Sequence, residues 1–166
     1  MPIHKRKTIN CLRLTTQTTH HYSLSTIPVN CQPITVNYFK MQEFNYLGKK
    51  ANQPSKQLDT FPAPSNVKVV TFVSDELTSF CPVTHQPDFN HVTIEFQPNK
   101  LCIESKSLKL YMWSFRDEAI FAETLAHTIT DDIYSAVSPI WCRVTLKQNI
   151  RGGMQLTVVA ERNSEK

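Results

Sequence analysis

The chain has 166 residues, the size of one domain, and its 40% hydrophobic and 19% charged residues fit a globular protein. No apolar stretch approaches the ~18 residues that span a bilayer, so we expect no membrane crossing. The net charge of +4 lies in residues 1–40, which hold five basic and no acidic side chains, whereas residues 41–166 hold 13 basic and 14 acidic. A nucleic-acid surface needs basic residues on a folded face, so we expect no direct nucleic-acid binding.

The cysteines are widely spaced and form no C-x-x-C pair, and no histidine follows them at zinc-ligand spacing. They are Cys11, Cys31, Cys81, Cys102 and Cys142. This pattern argues against a disulfide framework and against a structural metal. No signal peptide opens the sequence, so we expect a cytoplasmic protein with free thiols.

Residues 1–40 show no sustained hydrophobic period, and we expect a disordered leader or a misassigned N-terminal extension. Their basic, hydroxyl-rich composition resembles an organelle transit peptide, but an early start placed before Met41 is the other interpretation. Residues 41–66 form a predicted linker and entry segment, because three prolines stand among small polar residues. The folded domain is predicted at residues 67–162.

Three strands are predicted next. Residues 67–73 are rich in β-branched side chains, and residues 91–96 alternate between polar and apolar. Pro98 and Asn99 form a turn into residues 101–103, which we expect in the same half of the sheet. The segment with Cys81 and Asp88 is a predicted loop between the first two strands.

Two helices follow these strands. The apolar stripe of the first contains Leu108, Tyr111, Met112 and Phe115. The opposite face of that predicted helix holds Lys106, Lys109 and Arg116. The stripe of the second contains Phe121, Leu125, Ile129, Ile133 and Val137, with Asp117 and Glu118 at its start and Pro139 at its end.

The last two strands are predicted around residues 141–148 and 154–161. Arg151, Gly152 and Gly153 between them suit a hairpin turn with positive φ. The order of elements predicts an α+β domain whose helices pack on one face of an antiparallel sheet. Such a sheet leaves open edges, so we expect an oligomer in which neighbouring subunits pair those edges.

Cys81 lies in a segment that Pro82 and Pro87 stiffen, which is a suitable setting for a reacting group. A lone cysteine is more commonly a small buried hydrophobe, and Asp88 could simply cap a turn. A nucleophilic Cys81 needs a neighbour that favours its thiolate, and Asp88 is the nearest titratable candidate besides His85. His85 lies in the same segment, but nothing in the spacing forces the two side chains to meet.

Several runs of residues occur together in an order that points to one family. They are Phe80-Cys81-Pro82-Val83-Thr84-His85-Gln86-Pro87-Asp88-Phe89, Glu104-Ser105-Lys106-Ser107-Leu108-Lys109-Leu110-Tyr111, Ser114-Phe115-Arg116, Glu123 and Arg151-Gly152-Gly153. The chain thereby resembles the single-domain NADPH-dependent 7-cyano-7-deazaguanine reductases (QueF), nitrile reductases of queuosine biosynthesis and hence of tRNA modification. This resemblance covers roughly residues 67 to 160.

The resemblance implies a tunnelling fold (T-fold) whose subunits form rings with active sites between neighbours. It implies that Cys81 adds to the nitrile carbon to form a thioimide and that Asp88 supplies a proton. Glu123 would bind the guanine-like edge. Ile103, Glu104 and Ser105 would border the same pocket. The phosphates of NADPH would meet Lys106, Lys109 and Arg151. The sequence contains no G-x-G-x-x-G, so a Rossmann site is excluded.

One position departs from the pattern: Ala122 stands where the resemblance places a histidine, directly before Glu123. Two other functions therefore stay open. A related transferase uses the same thioimide with ammonia to form an amidine, although it lacks the motif that Lys106 and Lys109 complete. A ring-forming deazapurine-binding protein without catalysis is the second alternative.

Overall fold

A computed structural model of the chain describes residues 43–164, so the leader predicted at residues 1–40 lies outside the described residues. Its strands are β1 Thr60–Pro62, β2 Val70–Phe80, β3 Pro87–Gln97, β4 Leu101–Ile103, β5 Trp141–Gln148 and β6 Thr157–Asn163. Its helices are α1 Ser105–Trp113 and α2 Ala122–Val137.

The main sheet is antiparallel throughout, with the strand order β2-β3-β5-β6. Along β3, alternate side chains are buried, and these are Asp88, Asn90, Val92, Ile94 and Phe96. This period of two is the signature of a sheet with one covered face. Strands β2 and β6 form the two edges of the sheet.

Both helices contribute to a single core, with α2 packed on β5 and β6 and α1 against β2. The apolar stripe predicted for the second helix is buried from Leu125 to Val137. Phe121 is the exception, because it is the residue before α2 and is 54% exposed. The predicted α+β architecture, with antiparallel strands and two helices, is confirmed.

Some element boundaries differ from the sequence-based expectation. Helix α1 ends at Trp113, so Arg116 lies beyond it and does not share a helical face with Lys106 and Lys109. Asp117 and Glu118 precede α2, whose first turn instead holds Glu123. Strand β3 begins at Pro87, so Asp88 is a strand residue and the loop after Cys81 is shorter than expected.

The prediction that Leu101–Ile103 joins the main sheet was wrong. This strand, β4, pairs with β1 in a separate two-stranded sheet. Strand β1 lies inside residues 41–66, where we predicted a linker and entry segment. Asp59 explains the order of this segment, because its buried carboxylate accepts hydrogen bonds from Asn45 N (2.7 Å), Asn45 Nδ2 (2.7 Å) and Tyr46 N (3.0 Å).

The hairpin turn at the paired glycines is confirmed, although β6 begins at Thr157, later than expected. Gly152 and Gly153 have φ values of 58° and 77°, the signs that a type I′ turn requires. Arg151 and Met154 on either side exchange two backbone hydrogen bonds of 3.0 and 3.1 Å. The turn fixes the position from which the Arg151 side chain projects.

We expect Asp59→Ala to lower the free energy of unfolding by about 2–4 kcal/mol, because three partly buried donors lose a charged, buried acceptor. Urea denaturation of the full chain measures this change. Asp75→Ala is the control, since the Asp75 side chain is 83% exposed and its loss should change stability by less than about 0.5 kcal/mol. Equal effects of the two substitutions would contradict the structural role of Asp59.

Candidate active site

Cys81 is held in place from two sides. Its N–H donates to the Gln86 carbonyl (2.9 Å), and its carbonyl accepts from His85 N (2.9 Å), which closes a tight loop. The preceding Phe80 pairs with the segment before α2, donating to the Glu118 carbonyl (2.8 Å) and accepting from Ile120 N (3.0 Å). The thiol is therefore fixed at the end of β2, and Cys81 is only 8% exposed.

Asp88 and Arg151 meet beside this loop. Antiparallel pairing sets Asp88 opposite Ser79 on β2, where it is 6% exposed. Arg151 Nη1 lies 2.7 Å from Asp88 Oδ1. A backbone hydrogen bond from Asn149 to Phe89 (2.9 Å) holds the hairpin of Arg151 against β3. The predicted catalytic pair, Cys81 and Asp88, thus lies in one cluster with an arginine.

Hydrogen bonds lower the pKa of Cys81 from 9.0 to about 6, and the Thr84 hydroxyl has the largest effect. The backbone of Thr84 and Val83 and the guanidinium of Arg151 lower it further. At neutral pH the thiolate therefore predominates, which is the nucleophilic form. Burial has the opposite effect on the other two described thiols, raising the pKa of Cys102 and raising that of Cys142 to about 12.

The groups that stabilise the thiolate are not the ones that the sequence suggested. Asp88 and His85 were the titratable candidates, yet Thr84 and Arg151 supply the side-chain hydrogen bonds. The His85 ring instead packs near Phe80, with ring centroids 6.4 Å apart. A hydroxyl three residues after the cysteine was visible in the sequence, but Arg151 is brought in only by the tertiary fold.

Glu123 lies at the same end of the domain as Cys81. It is an exposed residue in the first turn of α2, and that helix begins two residues after Ile120, which is bonded to Phe80. Ala122 just before it is 5% exposed, so its side chain faces the core. The Glu123 carboxylate thus lies at the same end of the domain as the thiol, while position 122 contributes only a methyl group.

Ile103, Glu104 and Ser105 lie elsewhere in the subunit. They line a cavity of about 600 Å³ together with Phe72 and other apolar side chains. Phe72 stands eight residues before Phe80 on β2, which corresponds to roughly 25 Å along the strand. Within one subunit these predicted pocket residues are therefore far from Cys81.

Glu104, one of the predicted pocket residues, also stabilises the start of α1. The Glu104 carboxylate caps α1, accepting from the backbone N–H groups of Lys106 (2.8 Å) and Ser107 (2.8 Å). The Lys106 ammonium donates to the backbone carbonyls of Tyr46 (2.8 Å) and Lys49. Helix α1 is thus tied to the segment before β1.

The predicted phosphate-binding residues do not meet within one subunit. Lys109 is exposed on α1 and lines a second cavity, of about 400 Å³, with Glu76 and Met112 among its neighbours. Lys106 lies one helical turn away, whereas Arg151 is in the Cys81 cluster. Lysine and arginine suit phosphate groups chemically, so the residue types at these three positions fit a phosphate-bearing cofactor.

Residues 43–164 contain no cluster of three or more His, Cys, Asp or Glu side chains that could hold a metal ion. Across the same stretch, neither helix is long and apolar enough to cross a membrane.

A fixed cysteine with a stabilised thiolate beside a carboxyl group defines a site suited to covalent catalysis.

Comparison with known proteins specifies the family. Residues 87–166 match the family described as QueF-like protein. The NADPH-dependent 7-cyano-7-deazaguanine reductase of Syntrophus aciditrophicus is 44% identical over 123 residues, covering 73% of this chain and 87% of that protein. The enzyme of the same name from Nitrosomonas europaea is 47% identical over 111 residues, covering 66% and 80%.

The chain therefore belongs to the QueF family of 7-cyano-7-deazaguanine reductases. Among solved structures, it is also similar to the apo form of an archaeosine synthase described as QueF-Like. That match has a TM-score of 0.56 at 26% identity and covers 60% of this chain and 97% of the other.

We expect Thr84→Val to raise the pKa of Cys81 by roughly one unit, because the largest hydrogen bond to the thiolate is lost. The rate of iodoacetamide alkylation of Cys81 as a function of pH measures this pKa. Thr84→Ser retains the hydroxyl and is the matched control, with an unchanged profile. If the valine and serine variants gave the same profile, the hydroxyl would have no effect on the thiolate.

Proposed function

We propose that the protein reduces the nitrile of 7-cyano-7-deazaguanine to the primary amine of 7-aminomethyl-7-deazaguanine, with NADPH as the hydride donor, in queuosine biosynthesis. The observation that carries the proposal is the Cys81 thiolate, with a pKa of about 6, next to the Asp88–Arg151 pair. The names of relatives at 44–47% identity support the substrate and the cofactor.

The first step is addition of the Cys81 thiolate to the nitrile carbon. One sulfur–carbon bond forms, one π bond of the nitrile breaks, and the nitrogen takes a proton from Asp88, giving a thioimide. No group departs. The step converts a modest electrophile into an imine-like carbon that accepts hydride more readily. A buried carboxyl next to the thiol is suitably placed to deliver the proton.

Reduction of the nitrile to the amine requires two hydrides and two protons in all, one of which is the proton from Asp88. Two NADPH molecules, bound one after the other, would supply the hydrides. Between the hydride steps the carbon–sulfur bond breaks, which returns Cys81 as a thiolate. Lys106, Lys109 and Arg151 are the residues that would hold the phosphates. Cations at the surface, such as Lys109 and Arg151, suit a cofactor that must leave and be replaced within one reaction.

A complete site requires residues from two subunits. Glu123 would accept two hydrogen bonds from the guanine-like edge near Cys81, while Ile103, Glu104 and Ser105 of a neighbouring subunit would close the pocket. The roughly 25 Å along β2 that separates these groups within one subunit supports this arrangement. We therefore propose a ring-shaped homo-oligomer of the tunnelling-fold type.

The order of two strands, two helices and two strands around the main sheet supports that fold. The free edges of β2 and β6 give neighbouring subunits a place to pair. Pairing there would extend one sheet into the next, and closure of the ring would leave no edge uncovered.

Amidine formation with ammonia is the second candidate, because the chain is similar in structure to an archaeosine synthase. The higher identity to the reductases and the presence of Lys106 and Lys109 favour nitrile reduction. A non-catalytic binder is less compatible with the Cys81 thiolate. Supplying the thioimide with NADPH or with ammonium, and identifying the product by mass, distinguishes all three functions.

We expect mixing with 7-cyano-7-deazaguanine, without NADPH, to raise the protein mass by that of the whole substrate on the peptide that contains Cys81. Cys81→Ala should abolish both adduct and reduction, because no other side chain replaces the thiolate. Asp88→Asn should fold normally but form the adduct at least roughly 100-fold more slowly for want of a proton donor. An adduct on Cys102, or full activity in Asp88→Asn, would refute these roles.

We expect Lys109→Ala to weaken NADPH binding several-fold, with an effect that shrinks at high salt, while thioimide formation is unchanged. Lys109 is preferable to Lys106 for this test, because Lys106 also anchors the Tyr46–Lys49 segment. Lys147→Ala, which removes an exposed lysine from β5, is the matched control. Unchanged NADPH affinity in Lys109→Ala would exclude the phosphate role and strengthen the amidine-forming alternative.

A further inference from the structure

Asn90 is a polar residue in a layer that is otherwise apolar. It lies on the covered face of β3, is 2% exposed, and neighbours Val92, Ile94 and Phe96 on that face. Neither its Oδ1 nor its Nδ2 has a hydrogen-bond partner among the described residues. Burying an unpaired amide destabilises a fold, so a contribution to stability does not explain the asparagine at this position. A role in function would explain it.

The position of Asn90 connects it with the candidate active site. It is two residues after Asp88 and on the same face of β3, one pleat deeper into the core. Its cross-strand neighbours are Leu77 on β2 and Gln148 on β5, and neither is bonded to its amide. Leu77 and Ala122 both belong to the apolar core cluster. Neither side chain offers a polar atom to the Asn90 amide.

Asp88 needs different partners in its two protonation states. As a carboxylate it only accepts hydrogen bonds, which suits the Arg151 guanidinium 2.7 Å away. As a neutral acid it has one O–H donor and one carbonyl acceptor. An asparagine amide has the complementary acceptor and donors, and in Asn90 both atoms are free within the described part of the chain.

The distance between the two side chains permits such a pair. Residues two apart on a strand have side chains about 7 Å apart, and two short side chains turned toward each other can span this with a hydrogen bond of ~2.9 Å. In the present structure Asp88 is turned to Arg151 instead.

We propose that Asn90 is a positioning residue that orients the carboxyl group of Asp88 for proton delivery, through the acid–amide pair, when the nitrile adds to Cys81. Asp88 thereby has one partner for each state: Arg151 for the carboxylate and Asn90 for the acid. This inference rests on the proposed function, since it assigns a role in the proton transfer from Asp88.

A double-mutant cycle on thioimide formation tests the proposal. Asn90→Leu replaces the amide by an apolar group of similar size, and the rate of adduct formation without NADPH is followed by mass. We expect a roughly 10-fold slower rate in the wild-type background, because the proton donor is oriented less often toward the nitrile nitrogen. In the Asp88→Asn background we expect less than about a two-fold further change, since Asn90 acts only through Asp88.

Two further measurements, the unfolding midpoint and the alkylation rate of Cys81, distinguish this role from a general loss of stability. The unfolding midpoint of Asn90→Leu should stay the same or rise, because an unsatisfied buried amide is removed. Alkylation of Cys81 by iodoacetamide needs no proton from Asp88, so its rate and pH profile should be unchanged. Thr130→Val is the matched control for a buried polar group, since its hydroxyl is already bonded to the Ala126 carbonyl (2.8 Å). It should lower the midpoint and leave the adduct rate unaltered.

The same rate factor for Asn90→Leu in both backgrounds, or a parallel loss of alkylation, would overturn the proposal. Asn90→Ala repeats the cycle with a smaller side chain if the leucine variant does not fold. A wild-type protein that forms no adduct would refute the proposed function itself. A wild-type adduct with an unaffected Asn90→Leu rate would refute only the role of Asn90.

Discussion

The antiparallel pairing of β2 with β3 is the constraint on which the candidate site depends. It brings the end of one strand, at Phe80, against the beginning of the next, at Pro87, so that Cys81 and Asp88 are neighbours although a loop separates them. The backbone bonds from Phe80 to the segment before α2 add Glu123 to the same end of the domain. A slip of one residue in this register would turn Asp88 to the opposite face of the sheet.

Charge and hydrogen bonding at that end of the domain lower the pKa of Cys81 and favour its thiolate. Burial alone raises the pKa of a thiol, as it does for Cys142. Hydrogen bonds from Thr84 and Arg151 outweigh burial at Cys81 and lower its pKa to about 6. Arg151 contacts both the thiol and the Asp88 carboxylate, so one guanidinium links the proposed nucleophile to the proposed proton donor. The stabilised thiolate and the proposed proton donor therefore share one residue, Arg151, which is also a proposed phosphate ligand.

The predicted pocket residues other than Glu123 lie far from Cys81 along the sheet. Ile103, Glu104 and Ser105 line a cavity near Phe72, at the other end of β2 from the thiol. In the ring that we propose, a head-to-tail neighbour would bring this cavity of one subunit next to the thiol of another. The same assembly would cover the open strand edges. Completion of the site and protection of the sheet would then follow from one interface.

Local sequence was sufficient for features that depend on neighbouring residues. Alternation along β3, the stripe of α2, the bounds of β5 and the Gly152–Gly153 turn follow from side-chain period and from the φ values that glycine permits. The Cys81 and Asp88 motif was likewise readable as a unit, because the two residues flank a single short loop. The order of these motifs along the chain was sufficient to indicate the family to which it belongs.

Only the tertiary structure decided contacts between distant parts of the chain. Strand β1 has three residues and no periodic pattern, so its pairing with β4 depends on Asp59 and on the packing of the segment around it. The meeting of Arg151 with Asp88 depends on how the β5–β6 hairpin lies against β3. The unsatisfied amide of Asn90 is invisible in an alternating pattern, which gives the face of a residue but not its partners. These contacts form between residues far apart in sequence, and no local period encodes them.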